Sequence, residues 1–398
     1  MKRLRYFAIL AFFGVFSACG AVAAAEPAAL KEDVNEALAA FSAEMFRRVI
    51  EDEENAVISP LSAYFALAMA GLGAADETLT EFEAVLRMEI RAAAEALRGL
   101  IVHLLDVDGD TELNIANSVW FNNRFEILQV FEQDMENYFA AYAQARDFGP
   151  GAAATVDEIN AWIYEETRGL IDRLIDEIDV DDLMFLINTL FVHARWEDQL
   201  QGAWVDDRNF YTADGVVIVP FLDFNHLAGL YFDRTSDFEA VLLPYNCGNL
   251  AMLVVRPTQV DIRQFVAEND LNSILDGLGH SYGVHVNMPK LDMEFEITLN
   301  QILEDMGLVQ AFSEQACFPG LIGETIPPIY ISEVLQNVRL LVNEEGTTAA
   351  AATSFRMILE SGPLVRLNFN SPFIFAIYDL STGIPLFMGV VDNPAAGR

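Results

Sequence analysis

Basic residues are the first scarcity of this chain: 23 lysines and arginines stand against 60 aspartates and glutamates, a formal charge of -37 over 398 residues. A surface so acidic repels nucleic acid, anionic membranes and heparin-type polyanions, so no partner of those kinds is expected. Cysteine is also rare. Of the 3 cysteines, Cys19 falls in the N-terminal segment and only Cys247 and Cys317 lie beyond it, which rules out a disulfide scaffold and leaves stability to the core. The 5 histidines are scattered and no C-x-x-C or H-E-x-x-H spacing occurs, so neither a metal nor another cofactor is expected. Common enzyme signatures are missing too: no G-x-S-x-G elbow, S-x-x-K pair, Walker loop or Rossmann glycine pattern, and the expectation is a protein that is not an enzyme. Acids this abundant always offer some carboxylate pair, and such pairs are most often a solvated surface.

The N-terminal apolar run, Tyr6 to Phe16 behind Lys2, Arg3 and Arg5, is too short to span a bilayer and reads as an export signal over residues 1–25. Two processing sites compete. Phe16-Ser-Ala-Cys19 resembles a bacterial lipoprotein box and makes Cys19 the lipidation candidate, whereas Ala21-Val-Ala23 and Ala23-Ala-Ala25 fit ordinary cleavage. Either route takes the protein out of the cytoplasm, to the extracellular space or to a lipid-anchored place in the cell envelope. A lipid anchor is the sole membrane contact expected.

What is present is core: 53% of residues are hydrophobic, and no Pro/Gly-rich linker or internal repeat divides the chain, so one domain is expected over 30–395. Leu30 to Ile50 carries Val34, Leu38, Phe41 and Met45 at helical spacing. Asn55 to Ile58 reads as a short strand, Ser59 as a cap, Pro60 as the first helical residue, and the following helix is apolar on all sides and hence buried. Glu112 to Phe121 is a strand, and helices are expected over Leu128 to Tyr142 and Val156 to Thr167. Met184 to Trp196 is an almost unbroken apolar run, polar only at Asn188, Thr189 and His193, and reads as a central strand covered on both faces. Short antiparallel strands fill Trp204 to Pro257, a helix is expected over Ile262 to Leu278, a strand over Val284 to Leu291, a helix over Thr298 to Gly307, and strands close the chain.

The stretch Asn343 to Ser361 is the most unusual. Gly346 offers a backbone pivot, and Thr347 to Ser354 are all small. As a strand it would send Thr347, Ala349, Ala351, Thr353, Phe355 and Met357 to one face and Thr348, Ala350, Ala352, Ser354 and Arg356 to the other. Composition alone leaves linker, helix and latent strand open.

Several segments in colinear order resemble the serpin family. Glu344-Glu-Gly-Thr-Thr-Ala-Ala-Ala-Ala-Thr353 is similar to the hinge of a serpin reactive loop, Asn55 to Ser62 to its N-x-x-x-S-P-x-S helix start, and Asn160 to Gly169 to its N-x-W-x-x-x-x-T-x-G element. Pro289 to Leu291, Leu303 to Gly307, Asn370 to Phe373 and Pro385 to Gly389 extend the resemblance from about Leu30 to Pro394. It implies an α+β fold with three mainly antiparallel β-sheets, about eight to nine helices and an exposed reactive-centre loop. It implies a suicide-substrate inhibitor of serine or cysteine endopeptidases, a monomer that holds its target serine protease as a covalent acyl complex. The alternative is a non-inhibitory serpin acting as a binding or storage protein.

Site residues follow from the same resemblance. Glu344, Glu345, Gly346, Thr347, Thr348, Ala349, Ala350, Ala351 and Ala352 correspond to the hinge, and Glu344 is expected to meet Lys290. Ser59, Ser62 and Asn188 correspond to the polar gate of the central sheet, with Gln336 where the family usually has histidine, and Trp196 corresponds to the tryptophan under the loop's entry. The reactive bond is Glu360–Ser361 counted from the hinge and Ser361–Gly362 counted back from Asn370, and the first is preferred.

Overall fold

The structure, a computed structural model, describes residues 32–51, 53–105, 111–198, 200–322, 329–347 and 365–396. Helix α1, Glu32–Val49, buries Val34, Leu38, Phe41 and Met45 along one stripe. Strand β1, Asn55–Ile58, passes through Ser59 into α2, Pro60–Gly71, where the Ser59 side chain accepts the Ser62 N–H and Pro60 needs no donor. Every residue of α2 is buried, so this helix forms the pillar of the core. Helices α3, Asp76–Leu86, and α4, Ile90–Leu105, pack against it.

Strand β2, Glu112–Asn122, precedes α5, Gln129–Asp134. The helix expected from Leu128 to Tyr142 is shorter than its periodicity suggests. One wide turn, Met135–Phe139, follows α5, the left-handed Ala140 stops it, and Tyr142 already begins β3, Tyr142–Arg146. Then come α6, Ala152–Glu166, and β4, Met184–Arg195. Strands β5, Trp204–Thr212, β6, Gly215–Arg234, β7, Phe238–Pro244, and β8, Leu250–Pro257, make the antiparallel region. The helix expected over Ile262 to Leu278 is two, α7, Ile262–Glu268, and α8, Leu271–Gly277, because the Asp270 carboxylate accepts the Asn272 and Ser273 N–H groups and starts a new helix. Strand β9, Gly279–Pro289, continues into β10, Leu291–Thr298, which fills the stretch between the strand and the helix expected there. Short helices α9, Asn300–Asp305, and α10, Pro319–Ile322, bring the described α-helices to ten. The last strands are β11, Glu333–Val342, β12, Gly346–Thr347, β13, Val365–Asn368, β14, Phe373–Asp379, and β15, Ile384–Val391.

One sheet has six strands in the order β10-β11-β12-β4-β2-β3. A second network runs β1-β15-β14-β8-β7-β6-β9-β13, with β5 on β6, and bends where the β6–β9 register slips between Phe224 and Leu230. That bend divides it in two, giving the three sheets of an α+β fold. The main core fills the space around α2 and one face of the six-stranded sheet. On the opposite face α6 covers a second cluster in which Ile159 and Ile163 meet Trp120, Phe185, Ile187 and Leu335.

Candidate functional site

The site is built where β11 turns back into β12. The backbone reverses over Asn343 to Glu345: the Asn343 Oδ1 accepts N–H bonds from Glu345 at 2.9 Å and Gly346 at 3.3 Å, and the Asn343 N–H donates to the Gly346 carbonyl at 2.9 Å. Thr347 then pairs with Val342 on one side and with Ala194 on the other, so β12 lies between β11 and β4. Gly346 sits at φ +149°, and a Cβ there would stand 2.1 Å from the Ala194 carbonyl oxygen. Only glycine allows the two backbones this close.

Trp196 anchors the turn from below. It is fully buried, donates its backbone N–H to the Glu345 carbonyl and its indole Nε1–H to the Asn343 carbonyl, each at 2.9 Å. Its ring stacks on Tyr245 with centroids 4.6 Å apart and 5° between planes. The Tyr245 hydroxyl meets the Thr347 Oγ1 at 2.7 Å, and burial pushes this phenol far above its ordinary value, so it stays neutral. Thr347 therefore faces the main core and is 1% exposed, which assigns the faces of any continuation of β12. Neither Tyr245 nor Asn343 carries a sequence signal for these contacts. Tyr245 stands just before the polar turn that follows β7, a position that carries no local signal for the partner it meets.

On the rim, the Lys290 Nζ lies 2.7 Å from the Glu344 carboxylate, as the resemblance implied. Burial pushes the Glu344 carboxyl up, but the Lys290 hydrogen bond, a backbone hydrogen bond and the Lys290 charge together outweigh it and hold it below its ordinary 4.5.

Further along the same strands lies the polar contact of Gln336. Its Oε1 accepts the Ser59 N–H at 3.0 Å and its Nε2 donates to the Ser59 carbonyl at 2.9 Å, while the Ser59 Oγ donates to the Ser62 Oγ at 2.8 Å. An amide has both a donor and an acceptor, so Gln336 satisfies both backbone groups of the α2 cap residue at once. Asn188 pairs in backbone register with Asn117 of β2. Thr348, Ala349, Ala350, Ala351, Ala352, Glu360, Ser361 and Cys19 lie outside the described residues.

Among the described residues β11 and β4 pair directly, and in parallel, only over Glu333–Leu335 with Phe185–Ile187. At the other end β12 stands between them. The stretch separating these ends runs from Gln336 to Leu341 on β11 and from Asn188 to His193 on β4, six positions on each. In the register of the two β12 ladders, six further residues would span this stretch and a seventh would come opposite Ile187 and Leu335, which already face one another. A strand extending β12 needs no change of register to enter the paired end.

Alpha-1-antichymotrypsin of Homo sapiens is 30% identical over 357 residues, 86% of this chain and 83% of that protein. Corticosteroid-binding globulin of Pongo abelii is 28% identical over 365 residues, 89% of each chain. The crystal structure of the thermophilic serpin tengpin in the native state has a TM-score of 0.83 at 31% identity, covering 91% of this chain and 94% of that one. The serpin family consists mostly of protease inhibitors rather than enzymes, and includes non-inhibitory members. With residues 36–394 matching the sequence profile described as serpin (serine protease inhibitor), the chain belongs to the serpin family.

Proposed function

We propose that the chain inhibits serine or cysteine endopeptidases by trapping them as acyl-enzymes while its cleaved loop enters the six-stranded sheet. The observation that carries this reading is Thr347, seated between Ala194 and Val342 at the head of a stretch whose length matches the small residues Thr348 to Thr353. The protease nucleophile adds to the carbonyl carbon of Glu360, the bond to Ser361 breaks, the new amine takes a proton, and Glu360 remains as an ester or thioester. From Thr347 to Glu360 is thirteen steps, so full insertion carries the protease about 43 Å. About ten new ladder residues at about 1 kcal/mol net each would release on the order of 10 kcal/mol, comparable to the stability of a whole domain.

A glutamate at the reactive bond suits a Glu-preferring or elastase-like protease better than one with an acidic specificity pocket. Export through the N-terminal signal, with or without lipidation of Cys19, and action as a monomer belong to the same reading. Incubation with a protease panel tests it. The expected outcome is an SDS-resistant complex together with a large rise in thermal stability of the loop-cleaved chain. Rapid cleavage with no complex from any protease would instead mark a non-inhibitory member.

A further inference from the structure

Arg356 is the single charged side chain from Gly346 to Leu359. A charge carried into a sheet covered by another element needs a partner there. Extending both β12 ladders brings Arg356 opposite Phe185 on β4 and Glu333 on β11, which are themselves paired in the structure. Arg356 also has the opposite parity to the core-facing Thr347, so it shares the α6-covered face with Phe185, Ile187 and Leu335.

Glu333 is half-buried on that face and, among the described residues, pairs with no arginine or lysine. Burial first and the neighbouring Asp182 second push its carboxyl above the ordinary range, and burial does the same to Asp182. The one basic residue of β11, Arg339, lies six residues further along the strand and is engaged with Asp292. On the same face of β11, Asn337 is 5% exposed and its Oδ1 has no hydrogen-bond partner among the described residues. This edge of β11 thus holds both an acid without a cation and a buried acceptor without a donor.

We propose that Glu333, with Asp182 beside it, receives Arg356 of the inserted loop and so fixes the register of the new strand. The proposal rests on loop insertion as the function. Its occupant is the segment following Thr347, which has seventeen residues before Val365 and thus the length to reach Glu333, nine steps away. Directly opposed residues of an antiparallel pair bring oppositely charged side chains within contact. Until insertion, Glu333 and Asp182 oppose each other. After it, the arginine lies between their charges, so the paired state exists only in the inserted form. Arg356 and Glu333 act as positioning residues and touch no reacting atom.

The test compares thermal unfolding of the intact and loop-cleaved full-length chain, using one glutamyl-specific protease to cut at Glu360 in every variant. Arg356→Leu and Glu333→Gln should each lose about 2–4 °C of the rise that cleavage gives the wild type. The double variant should lose no more than either single one, and the exchanged pair Arg356→Asp with Glu333→Arg, which adds no glutamyl bond to the loop, should regain the rise. The isosteric glutamine at 333 keeps the shape of the site, so a folding defect would show in the intact protein as well. A full rise in Arg356→Leu, strictly additive losses, or no recovery in the exchanged pair would overturn the proposal while leaving insertion intact. No rise in the wild type would overturn insertion, and this proposal with it.

Discussion

Two residues bound the gap between β11 and β4, Gly346 at one end and Gln336 at the other, and neither acts by charge. Gly346 allows the β12 backbone against β4, and any Cβ there would collide with the Ala194 carbonyl at 2.1 Å. Gly346→Ala should destabilise the intact protein by about 1–3 kcal/mol, through strain at φ +149° or loss of the β12 seat. A shift in emission from the buried Trp196 should accompany it, and an unchanged unfolding curve would show that the seat contributes nothing. Gln336 works by completing the bonding of the Ser59 backbone. Gln336→Ala leaves a buried donor and a buried acceptor unsatisfied, an expected cost of about 2–4 kcal/mol in chemical unfolding. Because an amide does not titrate, this contact brings none of the pH dependence that a histidine would bring to the same place.

Among elements, those with strong local signals were legible and those defined by distant partners were not. Helix α2 could be read to the residue, since Ser59 and Pro60 are local instructions and the helix is apolar all round. Strand β4 was equally plain, its apolar run reflecting cover on both faces. Strand β12 was not, because Gly346 and Thr347 become a strand only through Val342 and Ala194. Strand β3 was hidden by a helical pattern that the wide turn at Met135–Phe139 continues spatially for one turn more. At the turn from β11 to β12, the resemblance implied the Lys290–Glu344 contact, and no local signal implied the Tyr245–Thr347 contact. The ion pair gives this turn its own pH response. Since Glu344 is held below its ordinary value in the folded protein, its contribution is complete above 4.5 and is lost as pH falls through the folded value. Its side chain is 39% exposed, so solvent screening keeps the effect under about 1 kcal/mol. Stability should dip on acidification below 4.5 in the wild type, and the dip should be shallower in Glu344→Gln; equal profiles would mean that the pair contributes nothing.

At the scale of the whole molecule, the proposed function makes the outcome of an encounter a race between insertion and release of the protease. Each stage of the zipper must therefore be fast, and the faces assigned by Thr347 say where an obstacle matters most. Thr347 is already packed into the core beside Tyr245 and Trp196 in the intact protein, so any strand that follows grows from this filled seat. Thr347→Arg would swing out of this seat in the intact protein, and insertion would then have to bury the charge, which desolvation opposes by several kcal/mol. A barrier raised by about 3 kcal/mol slows insertion by more than a hundredfold, enough for hydrolysis of the acyl-enzyme to win. The variant should still be cut by any protease that the wild type traps, at a similar rate, yet yield cleaved product in place of the SDS-resistant complex. Complex formed in undiminished proportion would mean that Thr347 need not be buried for trapping, and that the strand which stops the protease begins further along the loop.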